Sequence, residues 1–501
     1  MIMAERSTPS LARSGRAVVS TLRSGVLQAL PRGAKDGVKE GLAGARRLTP
    51  APAARLAERA ARRPVAAPDE LAQARRDRPG APQTDVRLWV APANFAGQGH
   101  EWARAAQRLP GVGARSMNIA GPIRFPTDYE VSAAVYRDLG WQREQRRALL
   151  DYTHVLVEAE RPVLGSLYGS CAAETPALRR AGLTVAHVVH GSDARRPDLH
   201  AATHPHSPFR DPRDPRTARL QRLTRRNVAW LDRCETPVFV STPDMIDVVP
   251  GARWCPVVVD ADAWASDTPV LERERPVVVH APSNGWLKGS DLVDPQMQAL
   301  HDAGLIEYRT LRGLDRAAMR RVYREADIVL DQFVLGLYGV AAAEAMAAGR
   351  VVVAYVGDTA RARVWEATGQ DVPIVEATPV DVVDVIRGIL ADRDAARAIA
   401  AEGPSFVRRI HSGERSAAVL AEFLGVGTRS FAPGLDPELD LDPDLVAGLD
   451  ADLVPDLVPD GLLDGVDEDP PGGPTTTAGS DGDGGPGGDP DDGTSFPPAR
   501  G

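Results

Sequence analysis

Short apolar runs alternate with amphipathic helical patterns from residue 86 to about residue 425. The first series of strand-like runs comprises 86–91, 153–158, 184–190 and 237–241, and the second lies near Val277, Ile306, Ile328, Val351 and Ile374. Helical patterns such as 139–152 and 291–303 separate these runs. Strands alternating with helices are typical of a parallel sheet with helices on both faces. The pattern therefore predicts an α/β protein with two Rossmann-like, doubly wound domains.

Changes in composition divide the chain into five parts. The segment between Gly191 and Arg226 is rich in Arg, Pro and Asp, and we expect it to be mostly loop within the first domain. The predicted parts are a basic, disordered or partly helical extension, a first Rossmann-like domain, a linker, a second Rossmann-like domain and an acidic disordered tail, at 1–80, 81–255, 256–275, 276–429 and 430–501.

The formal net charge of -9 conceals two oppositely charged ends. In residues 1–80 the basic residues outnumber the acidic ones by about two to one, whereas the tail is almost purely acidic. A basic amphipathic pattern over 11–30 predicts a possible peripheral contact with an anionic membrane surface, and a solvated arm is the alternative because glycines interrupt the pattern. The basic arm lacks interleaved aromatic residues, so we expect no nucleic-acid partner.

Three cysteines without CxxC spacing suggest neither a disulfide framework nor a zinc site. No apolar run approaches the roughly 20 residues that span a bilayer. Arginines also interrupt the place where a signal peptide would be apolar. We therefore expect a cytoplasmic protein, with any membrane contact peripheral and at the inner surface.

Two strand-to-helix turns carry the clearest chemical signal. The first is Val277–Gly289, and the second runs from Asp327 through Gly336 and Gly339 into an alanine-rich helix. Such turns place glycines and helix N-termini at one edge of a parallel sheet, where backbone N–H groups hold anions. A ligand that bears phosphate is therefore the first hypothesis.

Other motifs are weaker. The pair Gly97-x-Gly99 lacks the third glycine and the later acid of a dinucleotide site, so it predicts a loop that faces a cleft. His200, His204 and His206 invite a metal reading, and a solvated loop explains the same three residues. No P-loop sequence occurs.

Residues 86–425 resemble the retaining family-4 glycosyltransferases of GT-B fold, most strongly at 280–291 and 326–353. The resemblance implies that the second domain binds a nucleotide-sugar and the first holds the acceptor, which is a glycan, a lipid or a small molecule. It also implies transfer with retention of configuration, without a cofactor or a metal, and with the departing diphosphate as the proton acceptor.

The resemblance implies roles for the loop after the strand at Val277. Lys288, in Lys288-Gly289, matches the lysine that neutralises the diphosphate and stabilises the leaving group. Ser283, Asn284 and Gly285 offer hydrogen-bond donors to phosphate or sugar. The arginine often found in this loop is missing, and an exposed lysine on a turn is the alternative for Lys288.

The second turn resembles the family's Glu-x7-Glu signature. Glu344 matches its second glutamate, which binds the ribose hydroxyls, whereas the first falls at Gly336 and has no side chain. Asp331 and Gln332 are possible substitutes for the missing acid. The resemblance further implies that backbone N–H groups hold the phosphates at the helix N-terminus formed by Gly339, Val340 and Ala341.

In the first domain, His190-Gly191-Ser192-Asp193 resembles the turn that faces the donor sugar. His190 is then predicted to hydrogen-bond the sugar or to orient the acceptor, and a buried structural histidine is the alternative. Gly97 and Gly99 are predicted to form the acceptor-side loop.

A metal-dependent GT-A enzyme requires an Asp-x-Asp motif. Asp260-Ala261-Asp262 has this spacing but lies in the predicted linker, and Asp440-Leu441-Asp442 lies in the acidic tail, so this class is excluded. The remaining rival is a GT-B-fold binding or scaffolding protein without turnover, which the glycine at 336 favours.

Overall fold

The computed structural model describes residues 65–426. Most of the predicted basic extension, through residue 64, and the acidic tail from residue 430 lie outside the described residues. The helix α1 (Pro68–Asp77) falls within the predicted extension and packs on the first domain. Tyr129 donates a hydrogen bond from its hydroxyl to the carbonyl of Ala74 at 2.8 Å.

The first domain contains a seven-stranded sheet with the strand order β3-β2-β1-β4-β5-β6-β7. All neighbouring strands are parallel. The strands are β1 (Val86–Ala91), β2 (Val112–Ile119), β3 (Tyr129–Val131), β4 (His154–Glu158), β5 (Thr184–Val189), β6 (Val238–Val240) and β7 (Arg253–Trp254). The order reverses between β1 and β4, so the sheet is doubly wound and its switch point lies there.

Strand β2 was not predicted, because polar residues interrupt its apolar pattern. Ser116 and Asn118 are buried in it, and both find hydrogen-bond partners. The backbone N–H and hydroxyl of Ser116 donate to Asp128 Oδ2 at 2.8 and 3.0 Å. Because hydrogen bonds compensate for the burial of polar groups, a buried strand can contain polar residues at positions where an apolar pattern would be expected.

Helices cover both faces of this sheet. They are α2 (Gln98–Ala106), α3 (Ala133–Arg137), α4 (Leu139–Leu149), α5 (Cys171–Arg180), α6 (Pro197–Thr203) and α7 (Pro215–Leu231). The prediction of a mostly loop segment over 191–226 was wrong, since α6 and much of α7 lie in it. Asp214 caps α7 and Pro215 begins it, but its buried stripe includes Thr217, Thr224 and Asn227 and therefore lacks an apolar period.

The second domain contains a five-stranded parallel sheet with the order β12-β11-β10-β8-β9. Its strands are β8 (Val277–His280), β9 (Glu307–Thr310), β10 (Ile328–Leu330), β11 (Val351–Ala354) and β12 (Val375–Glu376). The switch point lies between β8 and β10. The three valines of β8 are at most 2% exposed, and each buried valine contributes about 1.5–3 kcal/mol.

The remaining helices begin in the connection between the two sheets. They are α8 (Ala261–Trp264), α9 (Gly285–Lys288), α10 (Ser290–Asp302), α11 (Arg316–Glu325), α12 (Val340–Ala347), α13 (Asp358–Thr368), α14 (Val382–Ala391), α15 (Arg393–Ile410) and α16 (Glu414–Ala421). Two doubly wound parallel sheets in tandem confirm the predicted α/β class with two Rossmann-like domains, as in a GT-B fold.

The last helix returns to the first domain. Leu420, Phe423 and Leu424, on and just after α16, are buried in one cluster with Leu88 and Val90 of β1. This helix lies within the range 276–429 predicted for the second domain, but its apolar face packs against the first. The chain therefore crosses between the domains twice.

Among residues 65–426, no helix combines the length and the apolar character needed to cross a membrane.

Candidate active site

The predicted donor-binding residues lie in two loops at the switch point of the second sheet. One loop follows β8 and leads into α9, and the other follows β10 and leads into α12. Because β8 and β10 are paired and parallel, both loops leave the same edge of the sheet. In doubly wound sheets this is the edge at which ligands bind.

A buried histidine holds the start of the first loop. His280 ends β8, and its Nδ1 lies 3.0 Å from the carbonyl oxygen of Leu330 in β10, so Nδ1 carries a proton. Its Nε2 lies 2.8 Å from the hydroxyl of Ser290 at the start of α10. Burial lowers the pKa of His280. The ring therefore ties β8, β10 and α10 together as a neutral group.

Lys288 and Asp331 form an ion pair between the two loops. Lys288 Nζ contacts Asp331 Oδ1, and the lysine side chain is 21% exposed whereas the aspartate side chain is 1% exposed. Asp331 Oδ2 is buried and has no hydrogen-bond partner among the described residues. In the ligand-free chain Asp331 therefore positions the lysine charge, in addition to its predicted place as a donor-binding residue.

The loop between β8 and Lys288 is exposed, and part of it serves the backbone. Ser283 and Asn284 are exposed, and Asn284 Oδ1 accepts a hydrogen bond from the N–H of Leu287 at 3.2 Å as the cap of α9. A Cβ built on Gly285 would lie 3.6 Å from Arg312 Nη2. Arg312 follows β9 and brings a guanidinium beside the loop, although the loop itself contains no arginine.

The second loop presents an open helix N-terminus. Gly339 caps α12, and the first-turn N–H groups of a helix have no partner within the helix. A Cβ built on Gly339 would meet no described atom within 4 Å, so the space in front of Gly339 is open. Val340 is only half-buried. The amides of Gly339 and Val340 are accessible to an anion.

Glu344 lies one turn further along α12 beside a charged bridge from the first domain. Arg316 Nε, on α11, lies 3.9 Å from Glu344 Oε1, and Arg316 Nη1 lies 3.1 Å from Glu101 Oε1 on α2. Burial raises the pKa of Glu344 to about 8, and the negative charges of Glu101 and Asp331 act in the same direction. The positive charges of Arg316 and Arg320 act in the opposite direction and only partly offset this rise. At neutral pH its carboxyl group is therefore largely protonated and can donate a hydrogen bond.

The structure gives a physical reason for glycine at position 336. Gly336 has φ +69°, in the left-handed region that favours glycine. A Cβ built there would lie 2.8 Å from Cδ2 and Nε2 of His204, a residue of the first domain. His204 stacks on His200, whose Nε2 donates to the carbonyl of Leu335 at 3.2 Å. The space that an acidic side chain would enter is occupied by an imidazole.

Gln332 is the other proposed substitute for the missing acid, and its side chain is hydrogen-bonded to the backbone around the loop. Its Nε2 donates to the carbonyls of Leu337 and Tyr355. Its Oε1 accepts from the N–H of Leu335 at 2.8 Å. A side chain engaged in this way shapes the loop after β10 and has no group left for a ligand.

In the first domain, His190 pairs with a buried glutamate at that sheet's own switch point. His190 Nε2 lies 3.3 Å from Oε1 of Glu158, which ends β4 and is fully buried, although the two groups are not aligned for a hydrogen bond. Glu158 Oε2 accepts from the N–H of Asn94 at 3.0 Å. The ring of His190 packs against the rings of Phe95 and Trp102, with distances between ring centroids of 5.2 and 5.3 Å.

The acceptor-side glycines serve this arrangement. A Cβ on Gly99 would lie 2.5 Å from Glu158 Oε2, so glycine at 99 lets α2 approach the glutamate. Gly97 has φ +79° and precedes α2. The turn after β5 is held by Asp193, which accepts hydrogen bonds from the N–H groups of His190 and Gly191.

The two metal alternatives are engaged in other contacts. His200 Nδ1 accepts from Ser207 at 2.7 Å, and burial lowers the pKa of His200 to about 3. Asp260 caps α8, and Asp262 pairs with Arg408 at 3.1 Å. Within residues 65–426, no three His, Cys, Asp or Glu side chains form a group suited to a metal ion.

His204 was considered in the sequence only as a possible metal ligand. Three further side chains near the candidate site were missed by sequence reasoning: Glu158, Arg312 and Arg316. Each reaches the candidate site from an element that is distant along the chain, and single charged residues after a strand or on a helix carry no motif. The position of Glu158 at the end of a buried strand was the available signal.

Comparisons with known proteins find solved structures of glycosyltransferases that are similar to this chain only at a low level. No family model matches the sequence. No curated protein matches it either.

A glycosyltransferase from Rickettsia africae ESF-5 is 10% identical, covers 68% of this chain and 97% of its own, and has a TM-score of 0.44. Sucrose-phosphate synthase from Thermosynechococcus elongatus is 14% identical, with coverage of 67% and 96% and a TM-score of 0.46. Anabaena Alr3699/HepE, solved in complex with UDP and glucose, is 13% identical, with coverage of 68% and 98% and a TM-score of 0.44. At these values the chemistry of the site has to be judged from the residues of this chain.

Proposed function

We propose that this protein is a glycosyltransferase that moves a sugar from a nucleotide-diphosphate-sugar to an acceptor with retention of configuration. The observation that supports this most is the convergence at the second switch point. There Lys288, the open N-terminus of α12 at Gly339 and the carboxyl group of Glu344 face one edge of the sheet. The lysine and the helix N-terminus suit a diphosphate, and the carboxyl group suits a ribose. Together they match the parts of a nucleoside diphosphate.

The diphosphate takes up negative charge as the sugar bond breaks. Lys288 and the amides of Gly339 and Val340 stabilise that charge, and Arg312 adds a guanidinium beside Gly285. Binding of the diphosphate draws Lys288 away from Asp331. In the step itself the acceptor oxygen bonds to the anomeric carbon, the bond from that carbon to the diphosphate breaks, and a diphosphate oxygen takes the acceptor's proton. No metal or cofactor is required.

Glu344 binds the ribose in this proposal. Because its pKa is raised, the carboxyl group is largely protonated at neutral pH. It can then donate a hydrogen bond to one ribose hydroxyl group and accept a hydrogen bond from another. Ser283 is exposed next to the phosphate position and supplies a hydroxyl.

The first domain supplies the acceptor side. His190 lies against Glu158 and the aromatic rings of Phe95 and Trp102, so it is oriented at the edge of the first sheet. We assign it contact with the transferred sugar or the acceptor. The acceptor is a glycan, a lipid or a small molecule. The cytoplasmic location and a peripheral membrane contact through residues 1–80 stay predictions from the sequence.

The test is isothermal titration with UDP and GDP, alone and as sugar conjugates, followed by a donor hydrolysis and transfer assay. Glu344→Ala is expected to weaken nucleotide binding about ten-fold, as for loss of one well-placed hydrogen-bonding group. Lys288→Ala is expected to lower turnover more than nucleotide affinity, because the lysine acts on charge that develops in the transition state.

The matched control is Arg387→Ala, which removes a cation whose ion-pair partner among residues 65–426 is Asp384, on the exposed side of α14. It is expected to behave as the wild type. Absence of binding of either nucleotide to the wild type contradicts the proposal, and so does wild-type activity of both site variants.

A second candidate is a protein that binds a nucleotide-sugar without turnover. The contact of His204 with Gly336 favours it, because the imidazole takes the space that an acidic side chain at position 336 would enter. Nucleotide binding with neither hydrolysis nor transfer in a broad donor screen would support this candidate over the enzyme.

A further inference from the structure

A cluster of polar side chains inside the first domain takes no part in the proposed transfer. It consists of His187 on β5, Glu160 just after β4, Thr175 on α5, and Cys234 and Thr236 between α7 and β6. We call these five residues the Cys234 cluster. They lie at four separate places in the sequence, and the fold brings them together.

A buried ion pair forms the base of the Cys234 cluster. His187 Nδ1 lies 2.8 Å from Glu160 Oε1, and the two side chains are 0% and 1% exposed. Thr175 Oγ1 lies 3.1 Å from His187 Nε2. Burial alone would lower the pKa of His187, but the charge of Glu160 and hydrogen bonds to Cys234 and Glu160 raise it to about 10. The ring is therefore an imidazolium at neutral pH.

The thiol of Cys234 lies next to this imidazolium and near the surface. The charge of His187 acts on the thiol of Cys234, and Cys234 Sγ lies 2.8 Å from Thr236 Oγ1. Burial would raise the pKa of the thiol, but His187 and Thr236 outweigh it and the pKa is lowered. Cys234 is only half-buried, and its neighbours Arg233 and Glu235 are exposed. A thiol whose pKa is lowered by a neighbouring cation, within reach of solvent, is the arrangement of reactive cysteines.

The other two cysteines are natural controls. Cys171 and Cys255 are buried. Burial, assisted at Cys171 by the charges of Glu160 and Glu174, raises the pKa of that thiol well above its ordinary range. Burial raises the pKa of Cys255 to about 12. Both are expected to be inert in the folded chain.

The charged and titratable groups around the Cys234 cluster come from several elements. Glu174 and Cys171 lie on α5, Arg226 lies on α7, and Arg179 and Glu235 form an outer pair at 3.6 Å. Glu174 accepts hydrogen bonds from the N–H groups of Val163 and Leu164.

We propose that Cys234, activated by His187 and Glu160, is a site of covalent modification by small electrophiles, hydroperoxides included. With a hydroperoxide, the thiolate sulfur attacks one peroxide oxygen, the O–O bond breaks, and the departing oxygen takes the proton of His187. Sulfur is oxidised to sulfenic acid while the peroxide is reduced to water or an alcohol. With an alkyl halide, the sulfur–carbon bond forms as halide leaves. The proposal does not depend on the transferase function.

The experiment measures iodoacetamide alkylation of each cysteine in the full chain by peptide mass spectrometry, native and in guanidinium chloride. At neutral pH, native Cys234 is expected to react about three-fold or more faster than denatured Cys234, because its larger thiolate fraction outweighs its lower intrinsic nucleophilicity. Native Cys171 and Cys255 are expected to react about ten-fold or more slower than when denatured, since they are buried. Hydrogen peroxide with a dimedone trap is expected to label Cys234.

His187→Gln tests the activating group. In this variant, the pH at which the alkylation rate of Cys234 is half-maximal (the midpoint) is expected to rise toward the ordinary thiol pKa of about 8.5. At high pH the alkylation rates of the variant and the wild type are expected to converge. Glu160→Gln is expected to shift the midpoint the same way. The proposal is overturned if native Cys234 reacts no faster than denatured Cys234, a result that needs no variant to fold. It is also overturned if a folded His187→Gln keeps the wild-type midpoint, and absence of dimedone label overturns the hydroperoxide part.

Discussion

The carboxyl group of Glu344 links the chemistry of the site to the stability of the chain. Its folded pKa of about 8 exceeds the value of about 4.3 in an unfolded chain. The unfolded chain therefore releases this proton first, and between these two pH values ionisation of Glu344 favours unfolding. The contribution of this residue to stability falls as pH rises through that window.

Glu344→Gln has no proton to lose, so it escapes this penalty. The difference in the free energy of unfolding, variant minus wild type, is expected to become more positive from pH 5 to pH 8 and to level off above it. Urea unfolding at a series of pH values measures it. The exposed Glu366→Gln reports the general effect of removing a carboxylate. A difference that does not change with pH would show that Glu344 is ionised in the folded chain.

At the scale of an element, the loop from β10 to α12 is shaped by its contact with the segment that follows α6. Gly336 combines a positive φ with the approach of His204, whereas Gly339 has φ -129° and open space around it. The two glycines, three residues apart, therefore differ in what an added methyl group would meet.

Gly336→Ala is expected to lower the free energy of unfolding by about 1–2 kcal/mol, the cost of a left-handed conformation for a residue with a Cβ. Gly339→Ala is the matched control and is expected to change it little. Adding His204→Ala to Gly336→Ala removes the crowding but leaves the backbone cost. Denaturant unfolding of the wild type, the two glycine variants and the double variant measures the backbone cost and the cost of crowding. Equal effects of the two glycine variants would contradict the assigned geometry.

At the scale of the whole molecule, ion pairs connect the two domains. Arg316 of α11 reaches Glu101 of α2 at 3.1 Å, with side chains 17% and 19% exposed. Arg363 of α13 reaches Asp247 at 2.6 Å, with side chains 35% and 38% exposed. The first pair lies beside Glu344 and is the better shielded from water.

A double-mutant cycle with Glu101→Gln and Arg316→Gln is expected to give a coupling energy of about 1 kcal/mol in denaturant unfolding. The cycle with Asp247→Asn and Arg363→Gln is the control and is expected to give about half as much or less, because exposed pairs are screened. The Glu101–Arg316 coupling should also decline less with added salt. A coupling near zero for that pair would mean that it does not hold the domains together.

The centre of the second sheet could be predicted from the sequence because β8, β10 and β11 are short, continuous runs of aliphatic residues. Strands β8 and β11 are buried on both faces, and such strands need no polar alternation. Strand β2 and helix α7 could not be predicted, because each buries polar residues that interrupt its apolar pattern.

By itself the sequence determined two parallel α/β units and the glycine-containing turns after β8 and β10, since these follow from local periodicity and from residues next to strand ends. The roles predicted for Lys288 and Glu344 came from the family resemblance. Only the tertiary structure decided the state of those groups. Asp331 holds Lys288, burial protonates Glu344, and His204 closes the space at Gly336. Each of these contacts joins residues far apart along the chain, and their charge and burial exist only after the two sheets have folded and met.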